Sequence, residues 1–120
     1  MVSPPVERTD TFTVEGLLMT DVGGTLGFSV LSTPGMIGMM ERNAAMLALE
    51  HLDDGRATVG FEVCIKHVAG AGEGAECTVW AKLVNVKEDR KFFFDVEVRE
   101  GERVLGIGTH QRRAVDRGPG

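Results

Sequence analysis

The sequence predicts an α+β domain in which a curved antiparallel sheet wraps around one long central helix. Residues 33–49 are apolar on almost every face, and a helix that is hydrophobic all round is a buried helix. After Gly55 the hydrophobic spacing changes from helical to period two, which is typical of strands. One buried helix followed by a run of strands indicates an α+β architecture. Because the helix is so apolar, we expect the sheet to wrap it or a partner to cover it.

The first third of the chain predicts a strand, a connection and the helix. Residues 9–14 alternate between polar and apolar side chains, as a strand does. The glycine-rich stretch 16–31 reads as a mobile connection or a partial lid. The helix begins at Thr33, where Ser32 or Thr33 itself supplies a capping hydroxyl, and a stop near Gly55 ends it.

The rest of the chain predicts antiparallel strands separated by short turns. The predicted strands cover residues 58–67, 76–86, 92–99 and 103–115. In the first three of these strands, the residues expected to point inward together are Phe61, Val63, Ile65 and His67; Cys77, Val79, Ala81 and Leu83; and Phe92, Phe94, Val96 and Val98.

Composition narrows the classes of function. The 120 residues favour a single domain, 1–120, with loose tails over 1–8 and 116–120. A net charge of −5 argues against general nucleic-acid binding. No apolar run approaches the roughly 18 residues that span a membrane, and no signal-peptide core is visible, so we expect a cytoplasmic protein without membrane contact. The small core makes a homo-oligomer plausible.

The two cysteines do not suggest a metal site. Neither Cys64 nor Cys77 belongs to a CxxC pair, and no Cys/His spacing resembles a metal-ligand set. We therefore expect small, buried thiols and no metal.

A single carboxylate in the apolar helix is the candidate centre of function. Burial of Glu41 is costly unless the carboxylate is paired or protonated. Thr33 at the helix start and His67 on the next strand are the best candidates to accompany it. A hydroxyl, a carboxylate and an imidazole at one site would suit acyl transfer or hydrolysis. A glycine such as Gly60 lets a backbone N–H approach a ligand.

The pattern as a whole resembles the hotdog fold and, more narrowly, the fluoroacetyl-CoA thioesterase family. The matching residues are Thr33, Gly35, Gly38-Met39-Met40-Glu41, Gly60, Cys64, Lys66-His67-Val68 and Gly108-Thr109-His110-Gln111-Arg112. The resemblance implies that Thr33, Glu41 and His67 are catalytic. It also implies that Gly60 and Arg112 lie near the bound acyl group, that the protein is a homodimer with sites at the subunit interface, and that no cofactor is needed beyond the CoA of the substrate.

One departure from the family concerns the connection before the helix. The selective member of the family closes its pocket with a lid that carries two phenylalanines, whereas the stretch 16–31 is shorter and contains only Phe28. The resemblance therefore implies thioester hydrolysis but not selectivity for a fluorinated acyl group.

The function that we expect is hydrolysis of a short- or medium-chain acyl-CoA. Glu41 attacks the thioester carbonyl or activates water, His67 moves protons, and Thr33 orients the carboxylate or is itself the nucleophile. Two alternatives stay open: an acyl-thioester hydratase or dehydratase, and a non-catalytic protein that binds acyl thioesters.

Overall fold

The computed structural model describes residues 6–118 as one helix packed against a five-stranded antiparallel sheet. The elements in chain order are β1 (Val6–Thr13), a 3-10 turn (Gly16–Leu18), β2 (Met19–Thr20), β3 (Val30–Leu31), α1 (Thr33–Leu49), β4 (Arg56–His67), β5 (Glu76–Lys87), β6 (Lys91–Glu100) and β7 (Arg103–Asp116). The strand order is β1-β5-β6-β7-β4, so β1 and β4 are the two edges. The predicted α+β architecture is confirmed.

The core lies between α1 and the concave face of the sheet. The inward-facing sets predicted for β5 and β6 are buried, as strict alternation requires. They pack against one side of the helix, which contributes Met36, Met40, Ala44, Leu47 and Ala48. Each of these helix side chains is at most 1% exposed, so the hydrophobic contacts of this layer hold the helix in place.

The opposite side of the helix is less covered than the sequence led us to expect. Gly38 and Arg42 are exposed, and Ile37 and Ala45 are half-buried. Ile37, Glu41 and Ala45 follow Thr33 at intervals of four residues and share its stripe of the helix. This stripe runs beside β4, the edge strand. The helix is therefore amphipathic in its contacts although its sequence is apolar almost throughout.

The start of the helix is fixed by a hydroxyl cap. Ser32 is the N-cap, and its Oγ accepts a hydrogen bond from the Gly35 backbone N–H at 2.9 Å. Pro34 occupies the first turn, where a missing N–H costs nothing. Because Ser32 serves as the cap, the side chain of Thr33 remains free for another partner.

The connection between β1 and α1 has more order than a simple loop. Strands β2 and β3 pair as a small antiparallel sheet, with Met19 opposite Leu31 and Thr20 opposite Val30. Residues 21–29, between them, are all exposed. Gly23, Gly24 and Gly27 adopt positive φ there, which glycine tolerates without steric cost.

Strand β4 carries a β-bulge that changes the predicted inward face. The register with β7 shifts between Gly60 and Glu62. The guanidinium of Arg113 lies 3.7 Å from the centre of the Phe61 ring, on the outer face of the sheet. The expectation that Phe61 shares a face with Val63 is therefore wrong, because the extra residue of the bulge interrupts the alternation.

Two further expectations need correction, one on the tails and one on a cysteine. The tails are shorter than expected, since residues 6–8 begin β1 and Arg117 donates a backbone hydrogen bond to Gly55. The remainder of both predicted tails, 1–5 and 119–120, lies outside the described residues. Cys77 is buried as expected, but Cys64 is exposed because it points outward from β4. Among residues 6–118, no helix is long and apolar enough to cross a membrane.

Candidate active site

A hydroxyl and an imidazole meet where α1 begins and β4 ends. Thr33 Oγ1 lies 2.8 Å from His67 Nδ1. His67 is the last residue of β4, opposite Gly106 of β7. Its other ring nitrogen, Nε2, is buried and makes no hydrogen bond to any of the described residues. A buried nitrogen without a partner is costly, so this histidine is poised to accept or donate one more hydrogen bond.

The Glu41 carboxylate lies beside Gly60 and Arg112. Its Oε2 is 3.5 Å from Arg112 Nη1, and a Cβ built on Gly60 would lie 2.5 Å from the same oxygen. Only glycine therefore leaves room for this carboxylate against β4. The Glu41 side chain is 39% exposed and that of Arg112 is 8% exposed. The expectation that the apolar helix keeps Glu41 in poor contact with water is wrong, and within one chain its charged partner is Arg112 rather than His67.

Arg112 is itself fixed by Thr58, which the sequence analysis did not single out. Arg112 Nε donates to Thr58 Oγ1 at 2.7 Å, and Nη2 donates to the Thr58 carbonyl at 3.0 Å. Burial lowers the pKa of the Arg112 guanidinium, and the Glu41 charge opposes this. The only available signal was the position of Thr58, two residues before Gly60 on the same face of the strand.

His110 completes the surroundings of Arg112. Its Nε2 lies 3.2 Å from Arg112 Nη1, and its Nδ1 lies 2.8 Å from the Glu62 carbonyl. The ring is 2% exposed and packs against Phe94, with ring centres 6.0 Å apart. Burial lowers the pKa of His110, and the nearby Arg112 charge acts in the same direction. The ring therefore favours its neutral form.

Within one chain, the predicted catalytic residues form two separate groups. Thr33 and Glu41 are eight residues apart on α1, about 12 Å along the helix axis. Gly60 and His67 are separated by roughly 20 Å along an extended strand. We call Thr33 with His67 the hydroxyl half-site, and Glu41 with Gly60 and Arg112 the carboxylate half-site. The hydroxyl half-site lies at the end of β4, and the carboxylate half-site lies beside Gly60, seven residues earlier in the strand.

A cavity opens beside the hydroxyl half-site. This cavity has a volume of about 420 Å³. A larger cavity of about 480 Å³ lies at the far end of α1, away from both half-sites. The smaller cavity is lined by Thr20, Val22, Val30, Leu31, Ser32, Thr33, His67, Val68, Ala69 and Gly70. Its mostly apolar wall and the hydroxyl–imidazole pair suit an acyl chain that ends in a reactive carbonyl. No group of His, Cys, Asp and Glu with metal-binding geometry occurs among residues 6–118.

Comparison with known proteins identifies thioesterases that are similar to this chain. The fluoroacetyl-CoA thioesterase of Streptantibioticus cattleyicolor is 31% identical over 86 residues, which cover 72% of this chain and 61% of that protein. The match thus spans less than two thirds of that relative's length. A crystal structure of a single-substitution variant of the thioesterase FlK, in complex with fluoroacetate and CoA, superposes with a TM-score of 0.86 at 24% identity and covers 96% of both chains.

A solved structure of lower sequence identity shows the same architecture. A hot-dog-like protein from Thermanaerovibrio acidaminovorans superposes with a TM-score of 0.83 at 18% identity, covering 93% of this chain and 82% of that one. The predicted hotdog fold is therefore confirmed. The sequence profile of FlK, the fluoroacetyl-CoA-specific thioesterase, matches residues 7–118. Since this match spans nearly the whole chain, the protein belongs to the fluoroacetyl-CoA-specific thioesterase family.

Proposed function

We propose that this protein is an acyl-CoA thioesterase that hydrolyses a short- or medium-chain acyl thioester to the free acid and CoA. The observation that carries the proposal is the pair of half-sites on one edge strand. A hydroxyl hydrogen-bonded to an imidazole borders an acyl-sized cavity, and an arginine-bound carboxylate lies beside Gly60, seven residues earlier in the same strand. The relative from Streptantibioticus cattleyicolor is named for the same class of reaction.

The two half-sites support a homodimer in which each site is shared. Strand β4 is an edge, and Val59, Phe61 and Val63 on it are 40–62% exposed. If β4 pairs antiparallel with β4 of a second copy about a two-fold axis, the Gly60 end of one strand lies beside the His67 end of the other. The half-exposed carboxylate of Glu41 in one copy then lies across the interface from the Thr33–His67 pair of the other copy. One dimer would contain two complete sites.

In the mechanism that we favour, the shared site activates water or forms a covalent intermediate. In the water route, Glu41 takes a proton from water as the water oxygen attacks the thioester carbonyl; in the covalent route, the Glu41 carboxylate attacks that carbonyl itself. The carbon–sulfur bond then breaks, and His67 delivers a proton to the leaving CoA thiolate. In the covalent route, water then attacks the resulting acyl anhydride and gives a proton back to His67, which releases the free acid and the Glu41 carboxylate. Thr33 orients the carboxylate or is itself the nucleophile. The Gly60 N–H and the start of α1 stabilise the negative carbonyl oxygen.

No step of this mechanism requires a cofactor other than the CoA carried by the substrate. The free thiols Cys64 and Cys77 are compatible with a reducing compartment, and we propose the cytoplasm as the location.

Complementation between inactive variants tests both the activity and the sharing of the site. Glu41→Gln and His67→Asn are each expected to inactivate the homodimer. Unfolding and refolding an equal mixture would make half of the dimers mixed, each with one intact site. About a quarter of the wild-type rate should therefore return, because half of the dimers are mixed and each mixed dimer has one intact site out of two.

A matched pair of variants provides the control. Thr33→Val and His67→Asn alter the same half-site, so every site of their mixed dimer is defective and no activity should return. Release of CoA thiol is the readout, with Cys64→Ser in all proteins to remove the exposed protein thiol. Recovery equal in both mixtures, or absent from both, would refute the shared site. Failure of the wild-type protein to release thiol from any acyl-CoA would refute the thioesterase.

A further inference from the structure

The hydrogen bonds around His110 specify one protonation state of its ring. A backbone carbonyl can only accept, so the contact between Nδ1 and the Glu62 carbonyl, at 2.8 Å, requires a proton on Nδ1. A guanidinium can only donate, so the contact between Nε2 and Arg112 Nη1, at 3.2 Å, requires a lone pair on Nε2. The neutral ring with its proton on Nδ1 satisfies both contacts. The charged ring and the other neutral tautomer each lose at least one.

The same arginine nitrogen holds the carboxylate of the candidate site. Arg112 Nη1 lies 3.2 Å from His110 and 3.5 Å from Glu41 Oε2. The other two nitrogens of the guanidinium are bound by Thr58. Thr58 thus fixes two nitrogens of Arg112, and His110 binds the third, Nη1. Nη1 is the nitrogen that contacts Glu41.

We propose that His110 is a positioning residue of this site: its neutral ring, protonated on Nδ1, fixes Arg112 and through it the carboxylate of Glu41. The catalytic part of this inference rests on the proposed thioesterase function. His110 touches neither Glu41 nor the acyl-sized cavity directly, so it acts through Arg112. Protonation of His110 would set two cations 3.2 Å apart and remove the acceptor, which would release Arg112 from its orientation.

The neighbours of His110 define what else could influence its charge. On its own strand the charged neighbour is Arg112, and from α1 the charged neighbour is Glu41. The residues opposite it on the flanking strands are apolar, namely Val63 on β4 and Phe94 on β6. Burial and Arg112 lower the pKa of His110, while the hydrogen bond to Glu62 and the Glu41 charge oppose them. Burial is the largest of these influences, so the pKa of His110 lies below the ordinary value for histidine.

Nuclear magnetic resonance of the imidazole nitrogens tests this protonation state without any assay of activity. Long-range ¹H–¹⁵N spectra of the whole protein at pH 7 and pH 5.5 contain signals from only three histidines. His51→Gln and His67→Gln assign the third set of signals to His110. The expected result is a neutral ring protonated on Nδ1 at pH 7, with a smaller charged fraction at pH 5.5 than an imidazole of ordinary pKa shows. A proton on Nε2, or a charged ring at pH 7, would overturn the proposal.

Two substitutions separate positioning from simple packing. In His110→Gln the side-chain amide nitrogen can donate to the Glu62 carbonyl while the amide oxygen accepts from Arg112. In His110→Phe the ring still packs against Phe94, but the acceptor is lost. We expect His110→Gln to retain kcat within about threefold. We expect His110→Phe to lose about tenfold or more in kcat, because small misplacements of reacting groups are costly, with KM changed less than kcat.

The outcomes distinguish this inference from the proposed function. Equal kcat in the glutamine and phenylalanine variants, with both folded, would overturn the positioning role. If the phenylalanine variant does not fold, His110→Leu replaces it, and the spectra of the wild-type protein decide the protonation state in any case. If the wild-type protein hydrolyses no acyl-CoA, the proposed function fails, while the tautomer of His110 still tests the geometry.

Discussion

Adding a single methyl group at Gly60 should separate activity from stability. A Cβ at this position would lie 2.5 Å from Glu41 Oε2, whereas ordinary contacts begin at 3.4 Å. The carboxylate must therefore retreat by about 0.9 Å, the difference between these two distances. Arg112 need not move with it, since its Nη1 would be 3.7 Å from the new atom.

The cost of this movement falls on catalysis rather than on folding. Glu41 ends in a flexible, 39% exposed side chain, so it can turn toward solvent without opening the core. The backbone of Gly60 does not have positive φ, and Gly60→Ala should stabilise the fold by roughly 0.4–1 kcal/mol through the unfolded chain. A displacement of about 1 Å at a reacting group costs about 10²-fold in rate, which corresponds to about 2.7 kcal/mol.

The assay compares kcat for the best acyl-CoA substrate with the free energy of unfolding in urea. Gly72→Ala is the matched control, because a Cβ there has no atom within 4 Å and its φ is also not positive. Gly72→Ala should keep the wild-type kcat. A Gly60→Ala protein that keeps the wild-type kcat would refute the assignment of Glu41 to the reaction at this position.

Four other outcomes are expected. Glu41→Gln should lower kcat by about 10²-fold or more, the scale of a lost acid–base group, and should leave substrate binding intact; a wild-type rate would exclude Glu41 from the mechanism. Sedimentation at micromolar concentration should give twice the 12.9 kDa chain mass or a multiple of that dimer, whereas a monomer would contradict the shared site. The pKa of His110 is lowered in the folded state, so the unfolded chain binds more protons than the folded protein. The urea midpoint of unfolding should therefore fall as the pH drops below about 6.5, and it should fall less in His110→Gln. An equal pH dependence in both proteins would contradict this. The last test compares kcat/KM for acetyl-, fluoroacetyl-, butyryl-, hexanoyl- and phenylacetyl-CoA. We expect kcat/KM to rise toward the longer or bulkier acyl groups, because the exposed, glycine-rich residues 21–29 close poorly over the cavity. A preference for fluoroacetyl over acetyl beyond about 10³-fold would show that this segment is a selective lid.

Features that depend on local spacing could be predicted from the sequence. The alternation in Phe92, Phe94, Val96 and Val98 identified the buried face of β6 because period two is a property of the strand itself. The start of α1 could be predicted equally well, since a capping hydroxyl followed by proline is a local signal. The family resemblance supplied the fold because its short motifs recur at the same spacings.

Features that depend on register between distant strands could not be predicted. The partner of Glu41 is Arg112, 71 residues away, and nothing in the sequence near either residue indicates the pairing. The exposure of Cys64 and the role of Thr58 likewise follow from the pairing of β4 with β7. The distribution of the predicted catalytic residues between two half-sites emerges only once α1 and β4 are placed side by side.

The bulge in β4 has a consequence for the numbering of its inward residues. Before the bulge the positions facing the helix are even, Thr58 and Gly60, and after it they are odd, ending at His67. In a regular strand, positions of opposite parity point to opposite faces. The single extra residue at Phe61 therefore allows one strand to present both the pocket for a carboxylate and a histidine to the same helix. Deleting Phe61 would leave an even spacing of six residues between Gly60 and His67, so a regular strand without a bulge would still turn both of them toward the helix.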